Sequence, residues 1–219
     1  MTHSRSPARY DEVNVRGTEN LLAASQNAGV RRFLLISTRA ISEEGGPYSR
    51  TKRRAEEVVR ASGLDWTIVR LPEVYGAGSA EGVDRMIDLA RRGARIPLVG
   101  RGDDLLCPAH VDDVVEPCVR ALETPEAVKR TYTLAGPCLT MREFATAAAN
   151  AFGQESRIVK VPVSAVAVAA KAARVLPLGL YPDQLARLRA PKPPVSAEAE
   201  PHLAFRPRPL QEGLREAVP

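Results

Sequence analysis

The chain has 219 residues, 44% of them hydrophobic, and a formal charge of +5, a globular composition long enough to bury the core of one domain or one and a half. The pI of about 9.4 suits an anionic partner. However, the pairs Arg31-Arg32, Arg53-Arg54 and Arg91-Arg92 are scattered and lack interleaved aromatics, which argues for solvated helix faces and against nucleic acid.

The amino terminus, MTHSRSPARYDE, has no apolar core of the kind a signal peptide needs, and no stretch of about 18 apolar residues occurs. The chain is therefore expected to be cytoplasmic, without a membrane span. Three cysteines, Cys107, Cys118 and Cys138, are too few and too widely spaced for a disulfide framework or a zinc site, so reduced structural thiols are expected.

From Asp11 to Ala28 the apolar spacing predicts a helix that Gly29 ends. RFLLIS, from Arg32 to Ser37, is a short continuous apolar run, which predicts a strand buried on both faces of a parallel sheet. A helix follows from Tyr48 to Ser62, stopped by Gly63, and then a second buried strand, Trp66 to Leu71. Helix, strand, helix, strand is a doubly wound α/β pattern.

Beyond it the Gly-rich loop YGAGSAEG leads to a helix at Val83–Arg92, a short IPLV strand, and a helix at His110–Leu122 that contains Pro117. TYTLAG and RIVKVP read as strands. Between them lies a helix opened by a capping box at Thr140–Glu143 and closed by Gly153. The apolar run VPVSAVAVAAKAARVLPLGL reads as a core helix, the proline-rich segment after it as a surface-wrapping tail, and Leu210–Ala217 as a final helix. The expected division is residues 1–100 as part of a Rossmann-like domain and residues 101–219 as an interleaved substrate lobe and tail.

Tyr48 and Lys52 stand four apart at the start of the helix that follows RFLLIS, and that strand ends in Ser37-Thr38. Hydroxyls, phenol and ammonium therefore gather at the carboxyl end of a strand, where open α/β sheets bind ligands. A phenol titrates near pH 10, so its use at neutral pH needs help of about 4 kcal/mol, of which a neighbouring ammonium supplies part.

These segments resemble the short-chain dehydrogenase/reductase superfamily in its extended and atypical branch, the NAD-dependent epimerase/dehydratase relatives. NVRGTENLLAASQNAGVRRFLLIST, PYSRTK, SGLDWTIVRLPEVYGAG, HVDDVVEPCVRALE, YTLAGPCLTMREF and HLAFRPRPLQEGLREAV carry the likeness, from about Tyr10 to the end. The resemblance implies that Tyr48 is the catalytic acid or base. Lys52 would bind the nicotinamide ribose and lower the tyrosine's pKa, and Thr38, or else Ser37, would hydrogen-bond the reacting oxygen. Asn14 would support the site of NAD or NADP, and the loop from Pro72 to Gly76 would border nicotinamide and substrate. His110, Asp112 and Asp113 would be structural, with one of the aspartates capping a helix.

The departures are as informative. The strand, Gly-rich turn and helix that hold a dinucleotide's pyrophosphate are not found, so roughly 70 to 80 residues of βα units are expected to be missing from the front. Gly76, Gly78 and Gly82 have the wrong spacing to replace that turn. Weak or absent cofactor binding by the chain alone follows. So does an exposed sheet edge at RFLLIS, which would call for a homo-oligomer or a partner chain. Two readings stay open: a fragment of an oxidoreductase or epimerase/dehydratase acting on a small hydroxyl or carbonyl compound, and a non-catalytic remnant that binds a ligand or partner. A serine hydrolase using Ser37, His110 and Asp112 fails for want of a nucleophile elbow.

Overall fold

A computed structural model describes Ser4, residues 6–76, 82–165 and 184–217, and the alternation read from the sequence reappears in it as alternating elements. In chain order they are α1 (Pro7–Tyr10), a π-helical turn (Asp11–Arg16), α2 (Gly17–Asn27), β1 (Arg32–Thr38), α3 (Gly46–Ala61), β2 (Asp65–Leu71), β3 (Val74–Tyr75) and α4 (Gly82–Arg91). There follow β4 (Ile96–Val99), β5 (Leu105–Leu106), β6 (Ala109–His110), α5 (Val111–Glu123), β7 (Arg130–Thr133), β8 (Leu139–Thr140), α6 (Met141–Ala151) and β9 (Ile158–Val161). The last helices are α7 (Gln184–Arg189), α8 (Ala199–Leu203) and α9 (Leu210–Glu216). The expected core helix in residues 161–180 falls largely outside the described residues, as does Gly78 of the Gly-rich loop.

The chain divides into two compact units. The first, residues 1–71, 116–134 and 173–205, holds a parallel sheet in the order β1-β2-β7. β1 and β2 run in register from Arg32 opposite Asp65 to Thr38 opposite Leu71. Because side chains alternate along a strand, Phe33, Leu35 and Ser37 share one face of β1, as Trp66, Ile68 and Arg70 do on β2. The apolar members of that face pack with Leu22 of α2 and with Val58 and Val59 of α3. On the other face Thr67 donates to the carbonyl of Ala127 at 2.7 Å. Arg32 donates to the carbonyls of Ala121 and Leu122 at the end of α5 and of Thr124 just beyond it, which suits a helix carboxyl terminus.

Among the described residues β1 pairs with β2 alone. The Arg31 carbonyl accepts from Asp65 N, and Arg39 N donates to the Leu71 carbonyl, so odd-numbered residues face β2 and residues 32, 34, 36 and 38 turn their backbone groups to the open edge. Ile36 is 40% exposed there.

The second unit comprises residues 72–115, 135–172 and 206–219. It has three two-stranded ladders, β3-β6, β4-β9 and β5-β8, around a core containing Tyr75, Ile96, Leu98, Phe144 and Leu214. Gly213 lets α9 come close: a Cβ there would lie 2.1 Å from the Tyr75 hydroxyl. The capping box at Thr140 and Glu143 forms as the sequence predicts.

Two expectations change. Cys107 and Cys138 form a disulfide, leaving Cys118 as a free thiol. The antiparallel pairing of β5 with β8 sets Leu106 opposite Leu139, a non-local contact that spacing along the chain does not show. Asp113, in the first turn of α5, is an ion-pair partner, receiving Arg208 Nε at 2.8 Å and Arg208 N at 2.9 Å. Finally, the first helix contains the π-helical turn at Asp11–Arg16.

Truncating Ile68, fully buried in the central strand, to alanine is expected to cost about 2–5 kcal/mol. The same change at Ile36, on the open edge, should cost less than about 1 kcal/mol. Urea unfolding of the two variants measures the difference, and equal losses would contradict this placement of the edge.

Candidate functional site

The helix that carries the tyrosine and lysine is fixed at its start by local chemistry. Gly46 adopts a φ of 81°, a left-handed conformation that favours glycine, and Pro47 occupies the first turn of α3, where a missing N–H costs nothing. Ser49 closes the turn by donating to the Gly45 carbonyl at 3.1 Å. Tyr48, Lys52 and Glu56 then follow at intervals of four on one face of the helix.

The Tyr48 side chain is buried, at 6% exposure. The Tyr10 ring meets it edge-on at 5.9 Å, and the Arg187 guanidinium of α7 lies over its face, 4.6 Å from the centroid. Lys52 Nζ donates to the Ile36 carbonyl at 2.8 Å, one of the β1 carbonyls turned to the open edge. Burial pushes the Lys52 ammonium below its ordinary pKa, against the opposing charge of Glu56.

Glu56 is fully buried and accepts from three side chains. Ser37 Oγ donates to Oε1 at 2.6 Å. Arg70 donates Nε to Oε1 at 2.9 Å and Nη2 to Oε2 at 2.7 Å, and Arg60 Nη2 reaches Oε2 at 2.7 Å. Ser37 and Arg70 are register partners on adjacent strands, so one carboxylate ties α3 to both. Burial alone would raise the Glu56 pKa, but the bonds from Arg70, Ser37 and Arg60 outweigh it and hold the carboxyl below its ordinary range. Such charge-assisted, bidentate bonds are the strong ones.

Thr38 lies on the opposite face of β1 from Ser37, and its Oγ1 accepts from Ala40 N at 3.1 Å. Asn14 is buried in the π-helical turn, a kind of distortion frequent at functional sites. Its Nδ2 donates to Thr51 Oγ1 at 3.1 Å, and that hydroxyl donates to the Tyr48 carbonyl at 2.9 Å. Asn14, Ser37, Thr38, Tyr48 and Lys52 thus all lie in the first unit. Pro72, half-buried, directly follows β2 and begins the second unit. His110, also in the second unit, is buried, with Nδ1 accepting from Asp112 N. No group of metal-ligating side chains occurs among the described residues.

Sequence reasoning missed Glu56, Arg70, Tyr10 and Arg187. For Glu56 a signal existed: it stands one turn beyond Lys52, between Ala55 and Val59 on the buried side of α3, and a carboxylate on a buried stripe implies a partner. Arg187 gives no such signal, since it lies 139 positions from Tyr48 in the sequence.

Residues 1–135 match the model of the NAD dependent epimerase/dehydratase family. The chain is 28% identical over 204 residues to a 4-hydroxy-2-methyl-3-oxo-4-farnesyl-3,4-dihydroquinoline-1-oxide ketoreductase of Stigmatella aurantiaca, covering 84% of this chain and 61% of that protein. It is 27% identical over 164 residues to a ceramide reductase of Caulobacter vibrioides, covering 74% and 51%. The chain thus spans about half to three fifths of the length of these relatives. Its fold is similar to that of a dTDP-glucose 4,6-dehydratase double mutant from Streptomyces venezuelae solved with NAD bound. The TM-score is 0.74 at 22% identity, covering 99% of this chain and 70% of that one.

Because the Glu56 carboxyl titrates below its ordinary 4.5 in the folded chain, its stabilisation is fully present above that value and is lost as pH falls through the folded pKa. Glu56→Gln is therefore expected to destabilise the chain by about 3 kcal/mol at pH 7, with the gap to wild type closing toward pH 3. Urea midpoints across pH 3–8 test this, and a gap independent of pH would contradict the ionised clamp.

Proposed function

The chain belongs to the NAD-dependent epimerase/dehydratase family, and we propose that it is the proton-transfer part of an enzyme of this family that oxidises or reduces a small molecule at a hydroxyl-bearing carbon. The observation that carries this reading is the placement of Tyr48 and Lys52 one helical turn apart on α3, with the Lys52 ammonium on the Ile36 carbonyl near the carboxyl end of β1, the strand that ends in Ser37-Thr38. The arrangement fits the nicotinamide and ribose end of a dinucleotide: an ammonium for ribose hydroxyls, a phenol and a hydroxyl for the reacting oxygen, and Asn14 bracing the first turn of α3 through Thr51. NAD(H) or NADP(H), when bound, supplies or accepts the hydride.

Of the two hydroxyls that end β1, Thr38 is the one suited to the substrate. Ser37 gives its proton to Glu56, whereas Thr38 accepts from Ala40 N and retains a proton to donate. In the reducing direction Thr38 donates a hydrogen bond to the carbonyl oxygen and Tyr48 transfers its proton there. Lys52 stabilises the phenolate that remains. In the oxidising direction the phenolate takes the hydroxyl proton back.

The open edge of β1 supports a second component of the reading, a partner for this strand. Its outward backbone groups and the exposed Ile36 are matched to another strand, supplied by a second copy or by another segment of polypeptide. Sedimentation across a concentration series is expected to show self-association of the 219-residue chain, reduced when Ile36→Lys adds charge at the exposed edge position. A monomer at every concentration would remove the self-pairing option.

Titration calorimetry of the 219-residue chain with NADH and NADPH is expected to show binding weaker than micromolar, since the described contacts serve only the ribose and nicotinamide end. In a protein joining this chain to a dinucleotide phosphate-binding segment, Tyr48→Phe should lower kcat by about 10²-fold or more. Ser37→Ala should act mainly on stability, through the Glu56 clamp. Full turnover by Tyr48→Phe would sink the proton-transfer assignment.

A further inference from the structure

α7 brings Arg187 onto the face of the one phenol to which the proposed chemistry assigns a proton. The guanidinium carbon lies 4.6 Å from the centre of the Tyr48 ring, well within the roughly 6 Å over which a cation is attracted by the negative face of an aromatic ring. The opposing neighbour is uncharged: Tyr10 presents its ring edge-on at 5.9 Å and 65°. With Tyr48 only 6% exposed, little water lies between the two groups to screen them, and such contacts strengthen as they are desolvated. Ionisation strengthens the contact again, because part of a phenolate's charge is delocalised into the ring that the guanidinium faces.

Among the described residues, the carboxylates on the elements packed against α3 have cationic partners of their own or are exposed. Asp11 is paired with Arg54, Glu43 with Arg53, and Glu56 with Arg70 and Arg60, while Glu12, Glu19 and Glu44 are exposed. Of the remaining cations, Arg39 directs its guanidinium to the Pro193 carbonyl, Arg189 is exposed, and Lys52 follows Tyr48 along α3. Arg187 thus faces the ring of the phenol, while Lys52 stands one turn further along the same helix with its ammonium on the Ile36 carbonyl.

We propose that Arg187 is a positioning residue that holds the Tyr48 ring and stabilises its phenolate, a role resting on the assignment of proton transfer to Tyr48. A planar guanidinium suits it, since it can stack flat on the ring. The tail helix then supplies a positive charge at the face of the phenol ring.

The test reads the phenol directly and needs no turnover. In the 219-residue chain labelled with 13Cζ-tyrosine, the Tyr48 resonance is assigned by its loss in Tyr48→Phe and followed through a pH titration. Arg187→Gln is expected to raise the Tyr48 pKa by about one unit. Arg187→Lys, which keeps charge but not the flat face, should raise it by about half as much. Circular dichroism confirms that each variant is folded, and either variant alone suffices for the comparison. An unmoved pKa, with or without a lowered melting temperature, would reduce Arg187 to a packing residue and overturn the proposal. A shifted pKa together with full turnover by Tyr48→Phe in the longer protein would leave the Arg187 contact standing and remove only the proton-transfer reading.

Discussion

One buried carboxylate holds the site together. Glu56 receives Ser37 from β1, Arg70 from β2 and Arg60 from its own helix, so the helix that presents Tyr48 and Lys52 cannot slide against the strands that end beside them. An unpaired ion in that position would be strongly destabilising. Here its lone pairs are matched by guanidinium and hydroxyl donors, and the same desolvation that makes the group costly alone makes the network exacting. Burial lowers the pKa of Lys52 one turn earlier, and Glu56 opposes that shift by favouring the charged form.

From this clamp the division of labour between the two hydroxyls follows. Ser37 faces α3 and serves the framework, whereas Thr38, one residue on, faces the other way because side chains alternate along a strand. The π-helical turn performs a similar task for Asn14, placing its amide against Thr51 and, through it, the Tyr48 carbonyl. The tyrosine is thereby held at its backbone by Asn14 and Thr51 and at its ring by Tyr10 and Arg187. All of these contacts lie within the first unit.

The open edge of β1 gives the other side of this arrangement. Lys52 Nζ rests on the outward-facing Ile36 carbonyl, so the ammonium satisfies part of the edge while standing beside the proposed reaction centre. The N–H of a neighbouring strand arriving there would compete with the ammonium for the Ile36 carbonyl.

Much of the fold was written locally. The continuous apolar runs of RFLLIS and WTIVRL specify strands, of which β2 is largely buried whereas β1 is only half-buried, with Ile36 exposed; Gly29 and Gly63 end the helices before them with φ near 70° and 77°, and Thr140 with Glu143 forms its capping box from four adjacent residues. The pairing of Tyr48 with Lys52 was legible for the same reason, since a helical turn joins them. Glu56 was half legible: its place on a buried stripe implies a partner, but the partner is Arg70, on the next strand. The Cys107–Cys138 disulfide, the Asp113–Arg208 pair and the seat of Arg187 over Tyr48 were not legible at all. Each joins residues that only strand pairing or the return of the tail brings together. The sequence by itself determined the elements and the chemical groups on each helix face, because those depend on neighbours three or four residues away. Only the tertiary structure decided which hydroxyl is bound to the framework, which cation faces the phenol and which cysteines meet, because those contacts depend on the register and packing of segments far apart in the chain.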